Sequence, residues 1–209
     1  MHDFFYIIVK SDFYTRIYWE LLYLWINLKT RTMINEIIKR NGLTYGIITG
    51  VILSLITAAM YAIDINLFIA WWTTLLSFSV FIIVPIILLS QTKKELNGLF
   101  SFKEAFTTYF IAAVIGVLIS VTFKIVLFNF IDPSVKATLL DLTIKYLINT
   151  SEKFGVPASS LNETVSKLRE TDPYSIVEQL KGSIFTIFFC GILGLIMSAF
   201  FKSKSSSQE

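Results

Sequence analysis

The sequence predicts an all-α fold, an integral membrane four-helix bundle with an extracytoplasmic loop of amphipathic helices between spans three and four. Three observations predict it. Of 209 residues, 55% are hydrophobic and only 16% charged, where a soluble domain carries about 25% charged residues. The apolar residues, which raise the mean hydropathy to +0.68, concentrate in stretches near the ~20 residues needed to cross hydrocarbon. Those stretches also lack the charged face that a surface helix repeats at helical spacing.

The four expected spans are about 43–62, 68–90, 105–131 and 182–201. The first two contain no charged residue, and the connection 63–67 makes them a helical hairpin whose Asp64 and Asn66 suit a turn at headgroup level. Pro85, inside the second span, removes one backbone N–H and predicts a kink. The third span is uncharged from 105 to 123, meets Lys124, and continues apolar to Ile131.

Orientation follows from the basic flanks. Lys39 and Arg40 precede the first span; Lys93, Lys94 and Lys103 join the second to the third; Lys202 and Lys204 follow the fourth. The 63–67 connection has no basic residue, so the positive-inside rule puts both termini on the cytoplasmic side and makes 203–209 a polar cytoplasmic tail.

Residues 1–32 form an amino-terminal extension. Lys10, Asp12, Arg16 and Glu20 interrupt its aromatic-rich stretch, which argues against a fifth span, and no signal-peptide cleavage site follows. Two readings stay open: an interfacial helix over 17–28 anchored by Trp19, Tyr23 and Trp25, or translation beginning at Met33.

The long outer connection 132–181 reads as two amphipathic helices. Asp132-Pro133 is a start signal, Val135, Leu139, Leu142 and Tyr146 share a face, and Gly155 with Pro157 ends the run. Ser160 and Glu163 have capping-box spacing for a second start, with Leu161, Val165 and Leu168 on one face. Asp172-Pro173 repeats the first signal and is expected to launch span four.

Several chemistries are disfavoured. A net charge of +3 from dispersed basic residues does not suggest nucleic acid. One cysteine, Cys190, and one histidine, His2, argue against a disulfide framework, a cysteine-rich metal site and histidine-based catalysis. Cys190 sits in an apolar run, as a small buried hydrophobe would. No phosphate-binding loop, nucleophile elbow, zinc motif or pair of intramembrane carboxylates occurs. The expectation is therefore no catalytic, cofactor-binding or metal-binding residue and no enzyme activity.

Small residues mark the expected packing faces. Gly42, Gly46, Gly50, Ser54 and Ala58 recur every fourth position in the first span; Thr108, Ala112, Gly116 and Ser120 do so in the third. Gly191, Gly194 and Ser198 form a similar patch in the fourth. In lipid, helices associate largely through such close backbone approach, either within the bundle or with another membrane protein or a second copy.

Lys124 is the one charged residue inside a span, about 10 Å from its outer boundary. Its stem could snorkel to the headgroups. It also continues the Thr108–Ser120 stripe, which aims it into the bundle, where Asp64 (or Asp132) is the candidate partner by depth.

From Met33 onward the order of features resembles an uncharacterised bacterial membrane-protein family, domain-of-unknown-function family 4199. The likeness rests on Ile38-Lys39-Arg40-Asn41-Gly42, Lys93-Lys94-Glu95-Leu96-Asn97-Gly98, Ser101-Phe102-Lys103-Glu104-Ala105-Phe106 and Asp132-Pro133, and covers about 33–202. It implies the architecture and a bacterial inner-membrane location, with no site residue to carry over. The leading expectation is a non-enzymatic structural or regulatory subunit acting by helix packing. The alternative is a small transporter or channel component using Lys124 and the Pro85 kink.

Overall fold

The computed structural model describes residues 2–203, with only scattered side chains described before Glu36. The described residues form six α-helices: α1 His2–Ile63, α2 Trp71–Glu95, α3 Phe102–Val126, α4 Ser134–Lys153, α5 Ala158–Thr171 and α6 Ile176–Phe201. A 3-10 turn, Ile65–Phe68, joins α1 to α2, and a π-helical turn, Leu127–Ile131, extends α3. Among the described residues, four segments are long and apolar enough to cross a membrane: Glu36–Ile63, Trp71–Glu95, Phe102–Ile131 and Ile176–Phe201. The architecture is all-α, with α4 and α5 between the third and fourth of these segments. They alternate in direction, so the Lys93/Lys94 turn, the start of the Glu36–Ile63 segment and the end of α6 share one end of the bundle, here the basic end. The Asp64 turn, α4 and α5 lie at the other, the loop end.

Several boundaries differ from the sequence reading. No separate interfacial helix forms over 17–28, because α1 is one helix of 62 residues and neither Gly nor Pro precedes Gly42 to break it. The side chains of Trp19 and Trp25, two of its expected anchors, lie outside those described, as does the tail beyond Ser203. Helix α5 begins at Ala158 after Pro157, so Ser160 is an interior residue whose carbonyl accepts from the Thr164 hydroxyl and does not cap the helix. Span four does not start at Asp172-Pro173. Asp172 closes α5 in the left-handed region at φ 39°, and Ser175 caps α6 by accepting from the Glu178 amide. A capping box formed by Ser101 and Glu104 starts α3 three residues before the expected span.

Helix α3 is the centre of the bundle, and its stripe of small residues explains why. Ala105, Thr108, Ala112, Ala113 and Gly116 are buried where α1 and α6 press against it. A Cβ added at Gly42, Gly46 or Gly50 of α1 would fall 2.9, 2.8 or 2.5 Å from the Cβ of Ile111, Ile115 or Ile119. Reciprocally, a Cβ at Gly116 would meet the Thr49 side chain at 2.9 Å. Gly194 of α6 lies over the Tyr109 ring, whereas Gly191 has only ordinary contact with Phe110, at 3.9 Å. The outward faces carry large apolar side chains such as Leu55, Trp71, Phe185, Phe188 and Phe200. Lipid supplies the surroundings these faces need.

The basic end is closed. Leu89, Leu96, Phe100, Ala105 and Tyr109 form a buried core there with Cys190. Asn41 donates to the Thr92 hydroxyl at 3.1 Å and to the Glu95 carboxylate at 3.2 Å, and Arg40 pairs with Glu95 at 2.6 Å, locking α1 to α2. The Ser203 hydroxyl donates to the Gly98 carbonyl and accepts from the Phe100 amide, tying the end of α6 to the α2–α3 turn. Tyr109 is fully buried, and its hydroxyl finds no hydrogen-bond partner among the described residues. Tyr109→Phe is therefore expected to leave stability equal or raise it by up to about 1 kcal/mol, since it removes a desolvated hydroxyl and keeps the ring. Thermal unfolding in detergent checks this; a clear loss of stability would mean that the hydroxyl has a partner.

Candidate functional site

Toward the loop end the four spanning helices part around a cavity of about 450 Å³. Helix α3 supplies its back wall with Val117, Ser120, Val121 and Lys124; α2 supplies Thr73, Thr74, Ser77 and Phe81; α6 supplies Glu178, Gln179, Gly182, Ser183 and Thr186. Leu53, Thr57 and Met60 of α1, Phe68 of the 3-10 turn and Pro173 before α6 complete it. Thr57, Ser77, Lys124 and Ser183 all lie six or seven residues from the loop-end boundary of their spans, a depth of about 10 Å.

Most of the hydroxyls are spent on their own helices. Thr57 donates to the Leu53 carbonyl, Ser120 to Val117, Ser183 to Leu180 and Thr186 to Gly182, at 2.9, 3.0, 2.6 and 2.9 Å. Such back-bonding satisfies the hydroxyl donor in lipid and leaves no hydrogen for another acceptor. Thr73 closes the hairpin by donating to the Leu67 and Ala70 carbonyls. Thr74 and Ser77 make no hydrogen bond to a described residue and are the free hydroxyls of the cavity lining.

Lys124 is the cation of the cavity. Its side chain is open to the cavity and has neither an ion pair nor a hydrogen bond among the described residues. The structure does not bring Asp64 to it. That carboxylate caps the 3-10 turn, accepting from the Asn66 amide at 2.9 Å and the Asn66 side chain at 2.8 Å. Asp132 is also engaged elsewhere, by the Ser134 hydroxyl and by Tyr61 at 2.9 Å. The carboxylate lining the cavity is Glu178, and Lys181 holds it at 2.6 Å. Pro85 is buried in α2, one turn toward the basic end from Phe81. Among the described residues no group of three His, Cys, Asp or Glu side chains could hold a metal ion.

The roof above Lys124 is braced by polar contacts. The π-helical turn after α3 places Asn129 to donate to the Tyr174 carbonyl at 3.3 Å and to accept from Lys136 at 3.1 Å, and Lys136 reaches Asp172 at 3.4 Å. Gln179 donates to the same Tyr174 carbonyl at 2.8 Å. The Tyr61–Asp132 bond ties α1 to the start of α4. The Ser134 hydroxyl, then the Tyr61 hydroxyl, hold the Asp132 carboxyl below the usual carboxylate range. Because this pKa is lowered by folding, its stabilisation is present above the unfolded value near 3.9 and is lost as pH falls through the lower folded value. The roof is therefore expected to loosen below about pH 4, and Asp132→Asn to flatten that acid response in a tryptophan-fluorescence titration.

The remaining comparison is with known families. The family described as "Protein of unknown function (DUF4199)" matches residues 44–203, three quarters of the chain and every residue that lines the cavity. The chain belongs to this family. It is accordingly a multi-pass membrane protein of the DUF4199 family, and the match runs from α1 through the end of α6. No curated protein and no solved structure matches it. The sequence reading of this DUF4199 protein missed the free hydroxyls Thr74 and Ser77. Depth is the signal that finds Ser77: counted from the loop-end boundaries, Thr57, Ser77 and Ser183 fall in register with Lys124, whereas Thr74 lies three residues from its boundary.

Proposed function

We propose that this DUF4199 protein is a non-enzymatic regulatory subunit of the bacterial inner membrane that binds a small polar ligand in the Lys124 cavity. One observation carries the reading: an unpaired cation lines a cavity that the packed core closes off toward the basic end. A one-ended cavity suits a binding site, since conduction needs a path through both leaflets. The small-residue stripe, expected to meet other helices, is used within the chain by α1 and α3, which moves the weight from helix packing to ligand binding. The orientation rests on Lys39, Arg40, Lys93, Lys94, Lys103 and Lys202 gathering at the basic end, which puts that end, and both chain termini, on the cytoplasmic side. The cavity then opens toward the outer leaflet. The pairing of Glu178 with Lys181 supports the non-enzymatic reading, since it occupies the carboxylate that lines the cavity.

The second reading is a transporter component. Pro85 favours it: the missing N–H leaves the Phe81 carbonyl without its helical donor just below the cavity, which is where a hinge would open the floor. Liposome flux separates the two. With phosphate or chloride as the probe, no flux through wild type or Lys124→Leu is the expected result. Flux through wild type that is lost in Lys124→Leu would establish transport instead.

A further inference from the structure

We infer that the Lys124 cavity is a site for a phosphate-class oxyanion, reached between α2 and α6, an inference that rests on the binding reading above. Charge comes first. The ionic side chains facing this space are Lys124 from α3 and Glu178 from α6, and Glu178 is held by Lys181. Neither α1 nor α2 contributes an ionic group to the lining. The cavity and its immediate rim therefore carry one uncompensated positive charge, at a depth where salt screens little and Coulomb attraction is stronger than in water. An anion is the complement that such a site lacks.

Donor placement narrows the anion. The Lys124 ammonium offers three N–H groups from the back wall, Thr74 and Ser77 offer free hydroxyls from α2, and Gln179 has a second amide N–H beyond the one given to the Tyr174 carbonyl. Donors arriving from three walls suit an acceptor with oxygens pointing in several directions. A tetrahedral oxyanion has that form, whereas a carboxylate presents its acceptors in one plane. Lysine as a point charge, without the fork of arginine, is compatible with the same choice.

The remaining surface says what else the ligand carries. Leu53, Met60, Phe81, Val117 and Val121 give the cavity an apolar side that a bare ion would not use. At about 450 Å³ it falls in the usual size range of small-molecule sites. Thr74 and Thr186, on its α2 and α6 walls, are exposed at the bundle surface. A phospholipid headgroup and a free phosphate share the chemistry that Lys124 would recognise. The apolar side would add affinity only for the former.

The test is titration calorimetry on the purified full chain in a neutral glycoside detergent. The probes are inorganic phosphate, dihexanoyl phosphatidylglycerol, dihexanoylglycerol without phosphate, and hexanoate. Wild type, Lys124→Gln and the double variant Thr74→Val/Ser77→Ala are compared. The expected result is binding of a phosphate-bearing probe that weakens about ten-fold or more in Lys124→Gln and several-fold in the double variant. Binding of inorganic phosphate as tight as the lipid assigns the site to the free ion; binding of the lipid alone assigns it to the headgroup. Both support the inference. Equal affinity for the phosphate-free lipid or for hexanoate would overturn the oxyanion assignment and leave the cavity a binding site. Absence of binding by any probe to folded wild type would overturn the oxyanion inference and remove the support for ligand binding together. Should Lys124→Gln not fold, wild type and the α2 double variant decide between these outcomes.

Discussion

Gly46→Leu is expected to destabilise the membrane domain by about 3 kcal/mol or more, the upper end of what overpacking a core costs. The reason is where the added atoms would go. A Cβ at position 46 would lie 2.8 Å from the Ile115 Cβ, 3.0 Å from the Ala112 carbonyl oxygen and 3.1 Å from the Ala112 Cα. Two of those neighbours are backbone and the third is bonded to it, so no rotamer change relieves the clash, and α1 must move off α3 as a body. The other two glycines of the stripe, Gly42 and Gly50, hold the helices at a similarly close distance, so a local shift at 46 strains the whole seam. Fluorescence-detected thermal unfolding in detergent should fall by roughly 6–12 °C, using 2–4 °C per kcal/mol for a chain of this size. Gly182→Ala is the control, because nothing lies within 4 Å of a Cβ there. A Gly46→Leu variant as stable as wild type would mean that α1 and α3 do not meet along this stripe.

That seam was legible in the sequence, because helical spacing and residue size together specify which face can approach another backbone. The four spans were legible for the same physical reason: lipid demands long apolar helices, and few other structures satisfy that demand. The starts of α5 and α6 were not. Asp-Pro is a start signal, but an Asp also tolerates the left-handed region, and Asp172 uses that freedom to end a helix, leaving Ser175 and Glu178 to open the next. The continuity of 17–28 with α1 was not legible either, because charged and aromatic residues alone do not interrupt a helix. Lys124 shows a different limit. Counting residues gives depth along a span but not which side chains face each other across the bundle, so Asp64 stood out by depth while the structure gives its carboxylate to Asn66.

Lys124→Leu is expected to raise stability while abolishing ligand binding. A lysine at the centre of a spanning helix costs about 2.5–3.5 kcal/mol on insertion scales, and less at a depth of about 10 Å. In the ligand-free protein nothing among the described residues offsets that cost, since Lys124 has no ion pair and Glu178 keeps Lys181. Leucine would remove the unpaired charge and extend the apolar side formed by Val117 and Val121. The expected gain is about 1–2 kcal/mol, read as a rise of roughly 2–8 °C in thermal unfolding. If Lys124 instead sat in a buried ion pair that sets helix register, removing it would strand a carboxylate and cost about 3–5 kcal/mol. The two accounts thus differ in the sign of one measurement. Added anionic ligand should separate the proteins further, stabilising wild type by mass action and leaving Lys124→Leu unmoved. A protein that keeps a destabilising cation facing its cavity, and regains stability when an anion arrives, is a membrane domain whose folding free energy reports on ligand.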